Sequence, residues 1–78
     1  MENAERIRLI VSDVLEVDAG KIHAESHQAD IAEWDSLAQL RIVTALEQEF
    51  GVKPTMREIA ELTSIPAITR YLEASFAQ

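Results

Sequence analysis

The residues best suited to chemistry are Asp35, Ser36 and Leu37, which stand where a polar stretch gives way to an apolar helical pattern. A serine at that boundary lies beside the unpaired amides and the positive dipole end of a helix, an environment that favours negative charge. A phosphate linked covalently to the Ser36 oxygen would be stabilised there, and the chain need only present an exposed hydroxyl on a rigid helix end. The neighbouring Asp35 carboxylate is placed to share in holding a divalent cation that accompanies phosphate groups. A plainer reading competes with this one. Ser36-Leu37-Ala38-Gln39 also matches a capping box, in which the serine oxygen serves only to satisfy helix amides. On the tripeptide alone, capping is the better account.

Other residues invite chemical readings that their surroundings do not support. His23 and His27 are four apart with Asp30 nearby, a spacing that would suit metal ligands on a helix, but no further ligand follows. They read as members of a polar loop, and no resident metal is expected. Trp34 reads as a packing anchor or hydrophobic staple ahead of a helix rather than as a ligand-stacking ring.

The elements that must hold Ser36 in place follow from periodicity. Ile7, Ile10, Val11, Val14 and Leu15 recur at steps of three and four and predict a helix over 4–17, with Asn3 as its cap and Asp18-Ala19-Gly20 as its end. A long connection over 18–35 carries Ile22, Ile31 and Trp34 at intervals that would pin it to a core. Leu37, Leu40, Val43, Leu46 and Phe50 predict a second helix over 36–50, which Gly51 would cap and Pro54 would keep from resuming. Thr55-Met56-Arg57-Glu58 fits a capping box opening a short third helix, with Met56, Ile59 and Leu62 turned inward as core or as the wall of an apolar pocket. The last helix begins near Ser64, takes Pro66 in its first turn and buries Ile65, Ile68, Tyr71, Leu72 and Phe76. The expected fold is all-α, a four-helix bundle of three main helices and a short third.

Composition sets the outer limits. The 78 residues suit a single small domain over 1–78, and 47% apolar content with two glycines and two prolines suits ordered helix. With no cysteine, helix packing alone must supply stability. Fourteen acidic against seven basic side chains give a net charge of -7, which disfavours nucleic acid and anionic membranes and favours partners with basic patches. The opening Met1-Glu2-Asn3-Ala4-Glu5 is acidic where a secretory signal is basic, and no apolar run is long enough to span a bilayer. A cytoplasmic location without membrane insertion is the expectation.

The run from Trp34 through Asp35-Ser36-Leu37-Ala38-Gln39 to Leu40, followed by Ala45-Leu46-Glu47-Gln48-Glu49-Phe50-Gly51, resembles the acyl carrier protein family. The order of elements agrees with that resemblance over nearly the whole chain. The resemblance implies that Ser36 carries 4′-phosphopantetheine derived from coenzyme A, that Asp35 assists Mg2+ transiently during transfer, and that Leu37 lies on the partner-binding surface. It implies a non-enzymatic monomer carrying acyl thioesters in fatty acid, polyketide or related biosynthesis. Its partners would be a phosphopantetheinyl transferase and acyl-loading and acyl-processing enzymes. Glu47 and Glu49, with Asp35, would offer negative charge to basic docking patches, or they form an ordinary solvated helix face. An aminoacyl or peptidyl carrier is the near alternative, and an unmodified helical interaction module of the same fold is the distant one. Arg41 within helix two and Trp34 before Asp35 depart from the carriers that serve fatty acid synthesis and lean towards specialised stand-alone members.

Overall fold

The computed structural model describes residues 2–76, with side chains from residue 4 onward. Helix α1 runs Glu2–Leu15, α2 Ser36–Phe50, α3 Met56–Glu61 and α4 Ile65–Phe76, and two single 3-10 turns, Ala19–Lys21 and Gln28–Asp30, lie in the long connection. The architecture is all-α, with three substantial helices and one short one among the described residues.

Each boundary has a local cause. Gly51 ends α2 in the left-handed region at φ 72°, where its amide donates to the Glu47 carbonyl. Thr55 and Glu58 form the anticipated capping box: the Thr55 hydroxyl accepts from the Glu58 amide at 3.1 Å, and the Glu58 carboxylate accepts from the Thr55 amide at 2.8 Å. The Ser64 hydroxyl caps α4 by accepting from the Ala67 amide at 3.1 Å, and Pro66 falls in the first turn, where a missing amide proton is harmless.

The end of α1 differs from expectation. The helix starts at Glu2, so Asn3 lies inside its first turn and does not cap it. It stops at Leu15 because Glu16, not a residue of Asp18-Ala19-Gly20, takes the left-handed conformation at φ 58°. The Val17 amide then donates to the Ser12 carbonyl at 3.1 Å and the Glu16 amide to the Asp13 carbonyl at 3.2 Å, the two bonds of a Schellman motif with glutamate in the usual glycine position.

The core joins Ile7, Val11 and Leu15 of α1 to Ala38, Ile42 and Leu46 of α2 and Ile65, Ile68 and Leu72 of α4, with Ile22, Trp34, Val52 and Leu62 from the connections. The long connection is held by more than these anchors. Arg8 donates to the carbonyls of Ala19 at 2.6 Å and Ile22 at 3.2 Å, while an isolated antiparallel bridge joins His27 to Ser64. The Gln28 amide donates to the Thr63 carbonyl at 2.8 Å and the Ile65 amide to the Ser26 carbonyl at 2.9 Å, so the loop is stitched to the start of α4.

Several predicted core positions face outward. Leu37 and Leu40 are 59% and 56% exposed, and the buried face of α2 is Ala38, Gln39, Ile42, Val43 and Leu46. Two apolar stripes overlap at Val43 and Leu46, and periodicity could not separate them. The burial of Trp34, whose indole reaches Gln39 from the turn before the helix, fixes which stripe turns inward. Met56 is 86% exposed because a six-residue helix offers the core little more than Ile59 and the following Leu62. Phe76 ends α4 half-exposed, its ring centroid 6.5 Å from that of Phe50.

Candidate functional site

The head of α2 is organised by Asp35, not by Ser36. Asp35 has extended backbone and its Oδ1 accepts from the Ala38 amide at 2.9 Å, which makes it the N-cap. The Asp35 carbonyl accepts from the Gln39 amide at 2.9 Å, the first bond of the helix. Ser36 is therefore the first helical residue, one position beyond the cap. Its side chain is exposed, and among the described residues its hydroxyl has no hydrogen-bond partner. The capping box anticipated as the plain reading of Ser36 does not form, because the aspartate before it already holds the amide a serine cap would have taken.

Gln39, the other half of that expected box, performs a different task. Its Oε1 accepts from the Trp34 indole at 2.7 Å, and its Nε2 donates to the carbonyls of Ile59 at 3.0 Å and Leu62 at 2.8 Å. Trp34 and Gln39 occupy the positions flanking a cap where a hydrophobic staple usually packs. Here the pair is closed by a hydrogen bond between buried groups. One amide thus ties the loop before Ser36, the first turn of α2 and the end of α3 together, and it satisfies α3 carbonyls that would otherwise be unpaired. Sequence reasoning missed this role. The signal available was the five-residue spacing of Trp34 and Gln39 across an aspartate cap.

The amides of Ser36 and Leu37 have no acceptor among the described residues, and both point from the positive end of a fifteen-residue helix. A seryl phosphodiester fits this setting: an uncommitted hydroxyl, two free amides and a carboxylate with one oxygen already fixed by capping. Covalent attachment asks for nothing more from the chain.

The remaining candidates are distributed along α2. Leu37, Leu40, Arg41, Thr44 and Gln48 are exposed on its outer side, and Arg41 makes no hydrogen bond or ion pair among the described residues. Glu47 is half-buried near the C-terminal end. Glu49 is exposed, but its carboxylate pairs with Arg6 of α1 at 2.8 Å, and the Arg6 guanidinium sits 4.6 Å from the centre of the Phe50 ring. Glu47 and Glu49 are thus a helix length from Asp35 and form no cluster with it. His23 and His27 are exposed on the loop, and among the described residues no group of three His, Cys, Asp or Glu side chains is gathered to hold a metal ion. No described helix is long and apolar enough to cross a membrane.

A family model described as a phosphopantetheine attachment site matches residues 5–72. Over 76 residues the chain is 32% identical to an acyl carrier protein of Thermosynechococcus vestitus, covering 97% of this chain and 94% of that one. It is 31% identical over 70 residues to an acyl carrier protein of Clostridium acetobutylicum, covering 90% and 91%. It is 33% identical over 61 residues to polyketide-8 synthase acyl carrier protein 2 of Streptomyces avermitilis, covering 78% and 70%.

Proposed function

The chain belongs to the phosphopantetheine-binding family of acyl carrier proteins, and on that premise we propose that Ser36 is the residue that bears the arm. Members of this family carry a covalently attached phosphopantetheine and work with modifying and acyl-processing enzymes. The arm supplies a terminal thiol on which acyl groups travel as thioesters. Residues 1–78 would serve as one carrier domain in the cytoplasm, with the helices presenting Ser36 and a surface for partners to read.

The observation that carries the proposal is the uncommitted Ser36 hydroxyl. Asp35 takes the capping duty, so the serine oxygen can react without cost to the helix. In the transfer, the Ser36 oxygen bonds to the β-phosphorus of coenzyme A as the bond to adenosine 3′,5′-bisphosphate breaks, and the hydroxyl proton passes to the transferase. The new phosphodiester lies beside the Ser36 and Leu37 amides, which favour its charge. Asp35 would help hold the Mg2+ that accompanies the coenzyme A phosphates. Exposed Leu37 and Leu40 offer an apolar contact for the transferase and later enzymes, and the acids at Asp35, Glu47 and Glu49, the last of them partly offset by Arg6, would attract basic docking patches. An acyl rather than aminoacyl cargo is supported by the named relatives, all of them acyl carriers.

Intact mass after incubation with coenzyme A, Mg2+ and a promiscuous phosphopantetheinyl transferase tests the reading. A gain of one phosphopantetheine in the wild type and none in Ser36→Ala is expected. An unchanged wild-type mass would mean an unmodified helical module.

A further inference from the structure

Between the end of α1 and the start of α2 the surface forms a cleft of about 320 Å³. Its apolar lining is the buried Leu15 and Ala38 with the half-buried Val14 and the exposed Leu37, and Glu16, Glu33, Asp35 and Arg41 supply its polar groups. The size falls at the lower end of small-molecule sites, about 300–1,000 Å³. Asp35 and Leu37, the residues on either side of Ser36, both line this cleft, so a group linked to the Ser36 oxygen begins at its mouth. The opposite side of α2 faces α3. There Gln39 spans the gap to α3 through the Ile59 and Leu62 carbonyls, and Trp34 backs it.

We propose that this cleft is the resting place of the pantetheine portion of the arm, an inference that rests on Ser36 being the attachment residue. The chemistry matches part by part. Pantetheine is uncharged; next to its phosphate it has a carbon bearing two methyl groups and a neighbouring hydroxyl, then two amides. The methyl groups suit Val14 and the exposed Leu37 side chain. The Glu16 carboxylate, and that of Glu33 beside its 3.9 Å ion pair with Lys21, can accept from amide N–H groups, and the unpaired Arg41 guanidinium can donate to an amide carbonyl. The acidic rim repels the phosphate but not the neutral chain, so the phosphate stays at the helix end. Because the arm is tethered at the mouth, its effective concentration is high and weak contacts suffice to hold it, while a partner can still draw it out. Arg41, unexplained by the attachment chemistry, becomes a positioning residue for the arm.

The test begins with intact mass. If no arm is added, the underlying reading fails and this one fails with it. With the arm in place, methyl-labelled protein should give NOEs from the geminal methyls of the arm to Val14, Leu15 and Leu37, and the shift differences between modified and unmodified forms should concentrate there. Arg41→Glu adds a further carboxylate to the rim and should cut those differences at least twofold, with the thermal midpoint of the unmodified protein unchanged. NOEs to Met56, Ile59 or Leu62 instead, no NOE from the arm to the protein, or differences untouched by Arg41→Glu would overturn the assignment.

Discussion

Asp35 and Ser36 divide two duties that the tripeptide alone leaves confounded. The aspartate satisfies the Ala38 amide, and the serine is left outside the hydrogen-bond network of the helix end. Replacing Asp35 separates its own two roles. Asp35→Ala should cost about 1 kcal/mol of stability through loss of the cap, whereas Asp35→Asn, an equally good cap, should leave denaturant unfolding unchanged while slowing transfer of the arm. Equal transfer rates for wild type and Asp35→Asn would show that the carboxylate serves the helix alone. Tyr71, the chain's sole tyrosine, offers a second test. Burial is the main cause that pushes its phenol above the ordinary 10.0, outweighing a lowering contribution from Ser75. The neutral form is the one the fold favours, so this contribution to stability is intact below the ordinary value and falls as pH rises through 10.0 towards the raised one. Phenolate absorbance of the folded protein should therefore appear at higher pH than in denaturant, and coincident titrations would contradict the burial.

At the scale of elements, much of the fold could be read from residue order, and the exceptions have physical causes. Gly51, the Thr55–Glu58 box and Pro66 act within one turn of chain, so local pattern located them. The roll of α2 did not follow, because the choice between Leu37–Leu40 and Ala38–Ile42 depends on where Trp34 is buried, a tertiary matter. Gln39 was legible only as a cap partner, since its true acceptors lie in α3, twenty or more residues away. Gln39→Leu should destabilise the protein by roughly 2–3 kcal/mol, because the indole N–H and the α3 carbonyls lose their partner. A change below about 0.5 kcal/mol in denaturant unfolding would mean that water replaces the amide without penalty. The end of α1 was misread because glutamate seldom occupies a left-handed position. Glu16→Gly relieves that conformation and should stabilise the protein by roughly 0.5–1 kcal/mol. A loss of stability there would show that the Glu16 side chain makes a contact worth more than the backbone strain.

On the scale of the whole molecule, a bundle this small stabilises one helix end and leaves the outer side of α2 free for others. On the proposed reading, the exposed leucines beside Ser36 would make a short-lived surface contact, and the net charge of -7 would attract basic partners at a distance. The candidate site was therefore legible as a residue, Ser36, from its motif, but not as a place. The division of labour with Asp35 is local, but two adjacent residues could each have been the cap, and the cleft beside Leu37 depends on packing of α1 against α2 that no local pattern encodes. The central claim is that Ser36, and no other hydroxyl, receives the arm. Ser12, Ser26 and Ser64 are buried, while the Ser75 and Thr44 hydroxyls donate to helix carbonyls and that of Thr55 caps α3, which sets Ser36 apart from them. Peptide sequencing of the transferase-treated protein by tandem mass spectrometry tests it most directly. The account predicts phosphopantetheine on fragments that contain Ser36 and on none that contain only Ser26; the modification on any other residue, or on none, would contradict it.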